Sequence, residues 1–435
     1  MPITGAAGVA AAAGAAAIGL TPSLTASPQL VAEGNTVWYL RGTEIGDNPS
    51  DGDYEDFIGE MMTGAEVTDP GSKTKVDYPA SFFPVTTGYL DALTFDASVG
   101  EGLDHLEESD VEDGDVIFGF SQGAVVASEY KRNHLHDDKD LTYVLVENPD
   151  RPNGGILARF DGLSIPILGV TFNGATPGDE LSAKTVDVSR QYDGWSDFPA
   201  YPLNVLADAN AVLGIYYLHG KTQSEVSAED LQHAEDLGGI YYQNDEATNT
   251  EYYLIPTERL PLLMPFDGIV PDPILDAADP PLRVLVELGY KRTDDNGDTD
   301  YGTPTTAGIA PAVNPVTVAT QLAEATVQGV DTGLSETGAS TPNVLTANTS
   351  ARNPSPASTS ASLTNLTART SITSGMSAPE VKLPNLASGA RKPGETPKPL
   401  ASKPKPFSTK DIADNVRKAM GVSKDAPKAA SGGDS

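Results

Sequence analysis

The chain has 435 residues and no cysteine, with 28 Lys and Arg against 61 Asp and Glu and a net charge of −33. Such an excess of negative charge repels phosphate backbones and excludes nucleic acid as a partner. The missing cysteines exclude disulfides, thiolate nucleophiles and zinc sites of the cysteine type.

The N-terminus, Gly5 to Leu20, is an Ala- and Gly-rich apolar run with the length of a signal-peptide core, short for a membrane span and with no Lys or Arg before it. Residues 1–34 are therefore expected to be a signal-like or anchor segment. Apolar and aromatic residues are dense from Thr36 to Tyr301, which predicts one folded domain over 35–302. Thr36 to Leu40 reads as a first strand ending at Arg41-Gly42-Thr43, and its loop continues through Pro- and Asp-rich sequence. Lys75 to Pro79 suggests a second strand, and Val99, Leu103 and Leu106 lie at helical spacing.

Val116-Ile117-Phe118 is the short apolar run of a buried parallel strand, and it leads into Gly119-Phe120-Ser121-Gln122-Gly123 and directly into a helical pattern reaching about Arg132. A strand, G-x-S-x-G and a helix in succession form a nucleophile elbow, where the turn is too tight for bulky neighbours and the serine hydroxyl is exposed. Strands follow at Thr142 to Val146, Thr185 to Tyr192 and Tyr252 to Ile255. Helices are expected at Leu203 to Leu213 and, interrupted by Pro, at Leu275 to Leu288. This alternation predicts an α/β-hydrolase fold, a mostly parallel sheet flanked by helices with active residues at the carboxyl ends of the strands.

Beyond Thr303 the chain turns to Ala, Thr, Ser and Pro, a composition that does not repay the entropy of ordering, so 303–435 is expected to be a disordered tail. Its end is basic: residues 351–435 hold 13 Lys and Arg against 6 Asp and Glu, whereas the first 350 hold 15 against 55. A basic tail on an acidic body suggests contact with an anionic cell-wall or membrane surface. Within it, Ser408 to Met420 has the pattern of a short helix.

A serine nucleophile needs a base, and the base needs an orienting acid. Of the five histidines, the order Ser, acid, His excludes His105, and His134 and His136 lie at the far end of the elbow helix. His219 follows an apolar run and precedes a glycine, as a loop histidine on a rigid element does; His233, in a charged helical segment, is the alternative base. For the acid, Asp193 stands directly after the strand ending at Tyr192, with Asp197 and Asp187 as competitors. The oxyanion hole would use the Gln122 amide and a group from the first strand's loop, for which Thr43 is best placed. No metal and no cofactor are expected: His134-Leu135-His136-Asp137-Asp138 lacks a third histidine at suitable spacing, and the calcium-like run Asp294 to Asp300 has its glycine too early and no closing Glu.

Trp38 to Thr43, the elbow, Asn148 to Gly155, Gln191 to Pro199, Leu218-His219-Gly220 and Leu260 to Leu263, taken in order, resemble the PE-PPE domain family, cutinase-like serine α/β-hydrolases of mycobacteria and their relatives. The resemblance covers about Thr36 to Arg292 and departs from fused members in having only Met1 to Gly34 before it, too short for a PE or PPE helical domain. It implies a serine esterase acting on ester or acyl-lipid substrates, or in some members acyl transfer onto a trehalose-like sugar, and an exported or cell-envelope location. It carries the nucleophile onto Ser121, the acid onto Asp193 or Asp197, and the base onto His219. A non-catalytic surface interaction protein is the remaining alternative, motivated by the long tail.

Overall fold

The computed structural model describes residues 34–336 except 46–47, 138 and 179–182. The elements run β1 (Thr36–Leu40), α1 (Asp51–Gly64), β2 (Ser72–Lys75), α2 (Phe95–Glu107), β3 (Val116–Phe120), α3 (Gln122–Asn133) and β4 (Thr142–Val146). A short helix α4 (Ile156–Arg159) and a small hairpin, β5 (Ser164–Ile165) and β6 (Val170–Thr171), precede β7 (Lys184–Arg190). Then follow α5 (Val205–Tyr217), α6 (Thr222–Glu225), α7 (Ala228–Leu237), β8 (Tyr242–Asp245), β9 (Thr250–Ile255), α8 (Asp272–Glu287) and α9 (Pro315–Glu336).

One seven-stranded sheet, ordered β2-β1-β3-β4-β7-β9-β8, carries the structure; every pairing is parallel except β8 with β9. Its central strands are buried on both faces, as their unbroken apolar runs require. The side chains alternate between two cores. Val116, Phe118, Val144, Val146, Val186 and Val188 meet α1 and α7 on one face, while Ile117, Tyr143 and Leu145 meet α2 and α3 on the other.

The mostly parallel sheet flanked by helices agrees with the sequence expectation, and the differences are local. The loop after β1 contains α1, whose Tyr54, Phe57, Ile58, Met61 and Met62 repeat at three- and four-residue intervals and bury one face. Ser50 caps it by accepting from the Asp53 amide at 3.2 Å. The second strand lies at Ser72–Lys75 rather than Lys75 to Pro79, at the exposed edge of the sheet.

The expectation of a disordered tail from Thr303 is corrected for its described part. Pro315–Glu336 is a 22-residue helix packed along α8. Gly329 and Gly333 bring its backbone against Ala277 and Pro273, where a Cβ would fall 2.2 and 2.3 Å from their carbonyl oxygens. Close backbone approach through small residues supplies the contact that large apolar residues would have announced in sequence. The N-terminal segment 1–33, the basic tail and the helix expected at Ser408 to Met420 lie outside the described residues.

Candidate active site

At the carboxyl end of β3 the chain turns into α3 through Ser121, which has φ 55° and ψ −118°. A non-glycine residue there carries strain of about 1–3 kcal/mol and needs tight surroundings to hold it. Gly119 and Gly123 provide them: a Cβ on the first would lie 2.5 Å from the Gly123 carbonyl oxygen, and on the second 2.4 Å from that of Leu40. The Gln122 side chain is tied away from the site, accepting from Ser98 Oγ at 3.0 Å and donating to the Ser81 carbonyl at 2.9 Å. Its main-chain amide opens α3 without an intrahelical acceptor, beside the serine.

The helix α5 ends in a short 3₁₀ turn, His219–Lys221, which delivers His219 to the serine. Ser121 Oγ is 2.7 Å from His219 Nε2, and His219 Nδ1 is 2.6 Å from Asp193 Oδ2. Because Nδ1 faces a carboxylate it carries the proton, leaving Nε2 as the acceptor of the serine hydroxyl. Phe120 stacks on the imidazole at 5.4 Å, and Trp195 lies obliquely over it. Asp193 is fully buried and accepts further from the Trp195 amide at 3.2 Å, with Ser196 Oγ 3.1 Å from its Oδ2.

Desolvation pushes the His219 imidazole down to about 4, so it is neutral at physiological pH. The same burial raises the Asp193 carboxyl to about 6, against hydrogen bonds that lower it.

The structure thus brings Ser121, Asp193 and His219 together. Asp197 is turned elsewhere: it accepts both Arg292 guanidinium nitrogens, at 2.8 and 3.0 Å, and the Tyr192 amide at 2.8 Å. Asp187, inside β7, pairs with Arg151 and Asn148. His233 stands exposed on α7 and makes no contact with the serine. Thr43 lies beyond β1, in a depression it shares with Gly42, Phe120 and Gln223; Gly42 packs directly against Ser121. His134 closes α3 in contact with Glu107 and Asp137, and Asp294 organises a turn with Asn296 and Asp298.

One residue of the site was not singled out from sequence. Glu147 follows β4 directly, is fully buried, and places its carboxyl beside Asp193 and His219. A carboxylate immediately after a buried parallel strand next to the elbow strand was the available signal. Ligand-type atoms of Glu147, Asp193 and His219 lie within 4.8 Å of one another, yet both His219 nitrogens are already engaged, which suits proton transfer better than metal ligation.

A profile described as the PE-PPE domain matches residues 70–291, just over half of the chain. The chain belongs to the PE-PPE domain family. The match includes Ser121, Asp193 and His219, while Thr43 precedes it. Esterase PE16 of Mycobacterium tuberculosis is 44% identical over 265 residues, which cover 57% of this chain and 47% of that protein. The diacyltrehalose acyltransferase Chp2 of the same organism is 27% identical over 245 residues, covering 50% and 66%. This chain therefore spans about half the length of the esterase it matches. Among solved structures, a cutinase-like protein from Cryptococcus sp. aligns with 20% identity and a TM-score of 0.24 over 38% of this chain and 78% of that one.

Proposed function

We propose that this PE-PPE domain is a serine hydrolase that cleaves carboxylic esters through an acyl-enzyme on Ser121. The observation that carries the reading is the single imidazole bonded at one nitrogen to Ser121 and at the other to a buried carboxylate. His219 Nε2 takes the Ser121 proton as Oγ attacks the ester carbonyl carbon; Asp193 stabilises the imidazolium that forms. The main-chain amide of Gln122 and a group of Thr43 hold the oxyanion. The tetrahedral intermediate collapses, the C–O bond breaks, and the leaving alkoxide takes the proton from His219. Water or an acceptor hydroxyl then attacks the acyl-enzyme, passing its proton through His219 back to Ser121.

Hydrolysis and acyl transfer share every residue up to the acyl-enzyme. The esterase and the trehalose-lipid acyltransferase among the relatives support both outcomes. A p-nitrophenyl acyl ester supplied with and without trehalose separates them. Free acid as the sole product supports hydrolysis, acyl-trehalose supports transfer, and no p-nitrophenol from folded protein overturns both.

The location we propose is the cell envelope, after export, in keeping with the apolar N-terminal run. Among the described residues no helix is long and apolar enough to cross a membrane. The basic C-terminal end is proposed to hold an anionic envelope surface, an attraction that salt would weaken.

The pH dependence follows from the two titrating partners. Activity requires a neutral imidazole and a negative charge on the carboxyl side, so adding protons to either removes it. The carboxyl is raised to about 6 and the imidazole lowered to about 4. On lowering pH, kcat/KM is expected to stay level to about pH 6, then fall about tenfold per pH unit, and about a hundredfold per unit below pH 4, the two groups titrating as a coupled pair. A rate that is still level at about pH 4, or that falls already above about pH 7, would contradict this assignment.

A further inference from the structure

Three non-glycine residues with positive φ sit at the carboxyl ends of adjacent strands: Ser121 after β3 (55°), Glu147 after β4 (51°) and Tyr192 after β7 (73°). Backbone strain of this kind persists where the surroundings over-determine it, and it concentrates at functional sites. The first belongs to the nucleophile and the third precedes Asp193. Glu147 is the one that the mechanism above does not use.

Its contacts have a pattern. Ser196, three residues after Asp193, donates to Glu147 Oε2 at 2.6 Å. Thr222, three residues after His219, donates to Glu147 Oε1 at 2.6 Å. The Arg190 amide, at the end of β7, points between the two oxygens at 3.3 Å from each. On the other side, Val146, directly before Glu147, accepts from the Ser121 amide at 2.9 Å. One buried carboxyl thus gathers the loop of the acid, the loop of the base and the end of the acid's strand, on a strand bonded to the nucleophile.

Resting on the serine-hydrolase reading, we propose that Glu147 is a positioning residue: a protonated carboxyl that bonds to Asp193 and ties its loop and the His219 loop together, so that the pair presents one negative charge to the imidazole. Two ionised carboxylates at this separation, sealed from water, would repel each other strongly, so one proton between them is the stable arrangement. Asp193 Oδ2 is taken up by the His219 Nδ1 proton at 2.6 Å, so the shared proton sits on Glu147, the direction in which desolvation and, after it, the charge of Asp193 push that carboxyl. The other ionic groups nearby are committed elsewhere, Arg190 to Glu225 and Asp197 to Arg292, leaving His219 as the titrating group that faces the pair. Glu147 keeps its proton throughout turnover and touches no substrate.

The test compares Glu147→Ala and Glu147→Gln with wild type for kcat, KM, rate of fluorophosphonate labelling and pH profile. Glu147→Ala loosens both loops, and a misplacement of this order is expected to lower kcat and the labelling rate roughly a hundredfold with KM little changed. Glutamine keeps an acceptor for one hydroxyl and an N–H for Asp193, and is expected to recover kcat to within about tenfold of wild type with the acid limb unmoved. Glu147→Ala within about threefold of wild type would overturn the proposal. So would Glu147→Gln as slow as Glu147→Ala while melting like wild type, because the carboxylate charge would then be what matters. Should Glu147→Ala not fold, Thr222→Val removes one tether at constant size: kcat down roughly tenfold supports the proposal, and unchanged kcat overturns it. Failure of the underlying reading looks different, since wild type itself would then neither turn over ester nor take the fluorophosphonate on Ser121.

Discussion

Replacing Ser121 with alanine is expected to reduce ester turnover by roughly 10³-fold or more and to abolish fluorophosphonate labelling, because it removes the only atom that forms the acyl bond. The fold should survive. The change deletes one hydroxyl whose partner is His219, opens no cavity and leaves the glycine pair of the turn in place, so the melting temperature should move by no more than a few degrees. Circular dichroism melts beside rates with a p-nitrophenyl ester check both halves. A Ser121→Ala protein retaining near-normal turnover would remove the serine from the mechanism.

The second large effect separates two aspartates four residues apart. Asp193→Asn keeps the shape but replaces an acceptor of the Nδ1 proton with an amide that favours the wrong imidazole tautomer, and the expected loss in kcat is roughly 10³- to 10⁴-fold with little change in stability. Asp197→Asn strikes a different system. Asp197 and Arg292 are both buried and paired through two hydrogen bonds, with Tyr192 and Tyr290 flanking the guanidinium. Arg292 keeps Glu287 at 2.9 Å as a second counter-charge, so weakening its bidentate pair with Asp197 costs about 1–3 kcal/mol, which at this domain size is a melting temperature lower by several degrees. Measuring kcat and melting temperature on both variants gives opposite signatures. The reverse ranking in kcat would hand the orienting role to Asp197.

The elbow was legible because three independent requirements fall on consecutive residues: an apolar strand, glycines two positions either side of a serine, and small residues where α3 meets the sheet. The order Ser, Asp, His and the position of Asp193 after a strand narrowed the partners to a short set. Which aspartate faces the imidazole was not legible, since Asp193 and Asp197 occupy one loop and only the packing of Arg292 against Tyr192 and Tyr290 turns Asp197 away. Glu147 escaped for another reason. Its partners are 43, 49 and 75 residues away in sequence, so no local spacing reports their convergence. The helix α1 was obscured by Pro49, Asp51 and Gly52 at its start, although its apolar positions carry the helical period. The helix α9 was obscured because backbone contact at Gly329 and Gly333 takes the place of large apolar side chains.

The central claim is that an acyl group passes through Ser121. Its most direct measurement is peptide mass mapping of the protein quenched in acid during turnover of a p-nitrophenyl acyl ester, with a fluorophosphonate-treated sample alongside. An acyl adduct in the first sample and a phosphonyl adduct in the second are expected, both on Ser121. Ester turnover with neither adduct, or with adducts on a different residue, would contradict it.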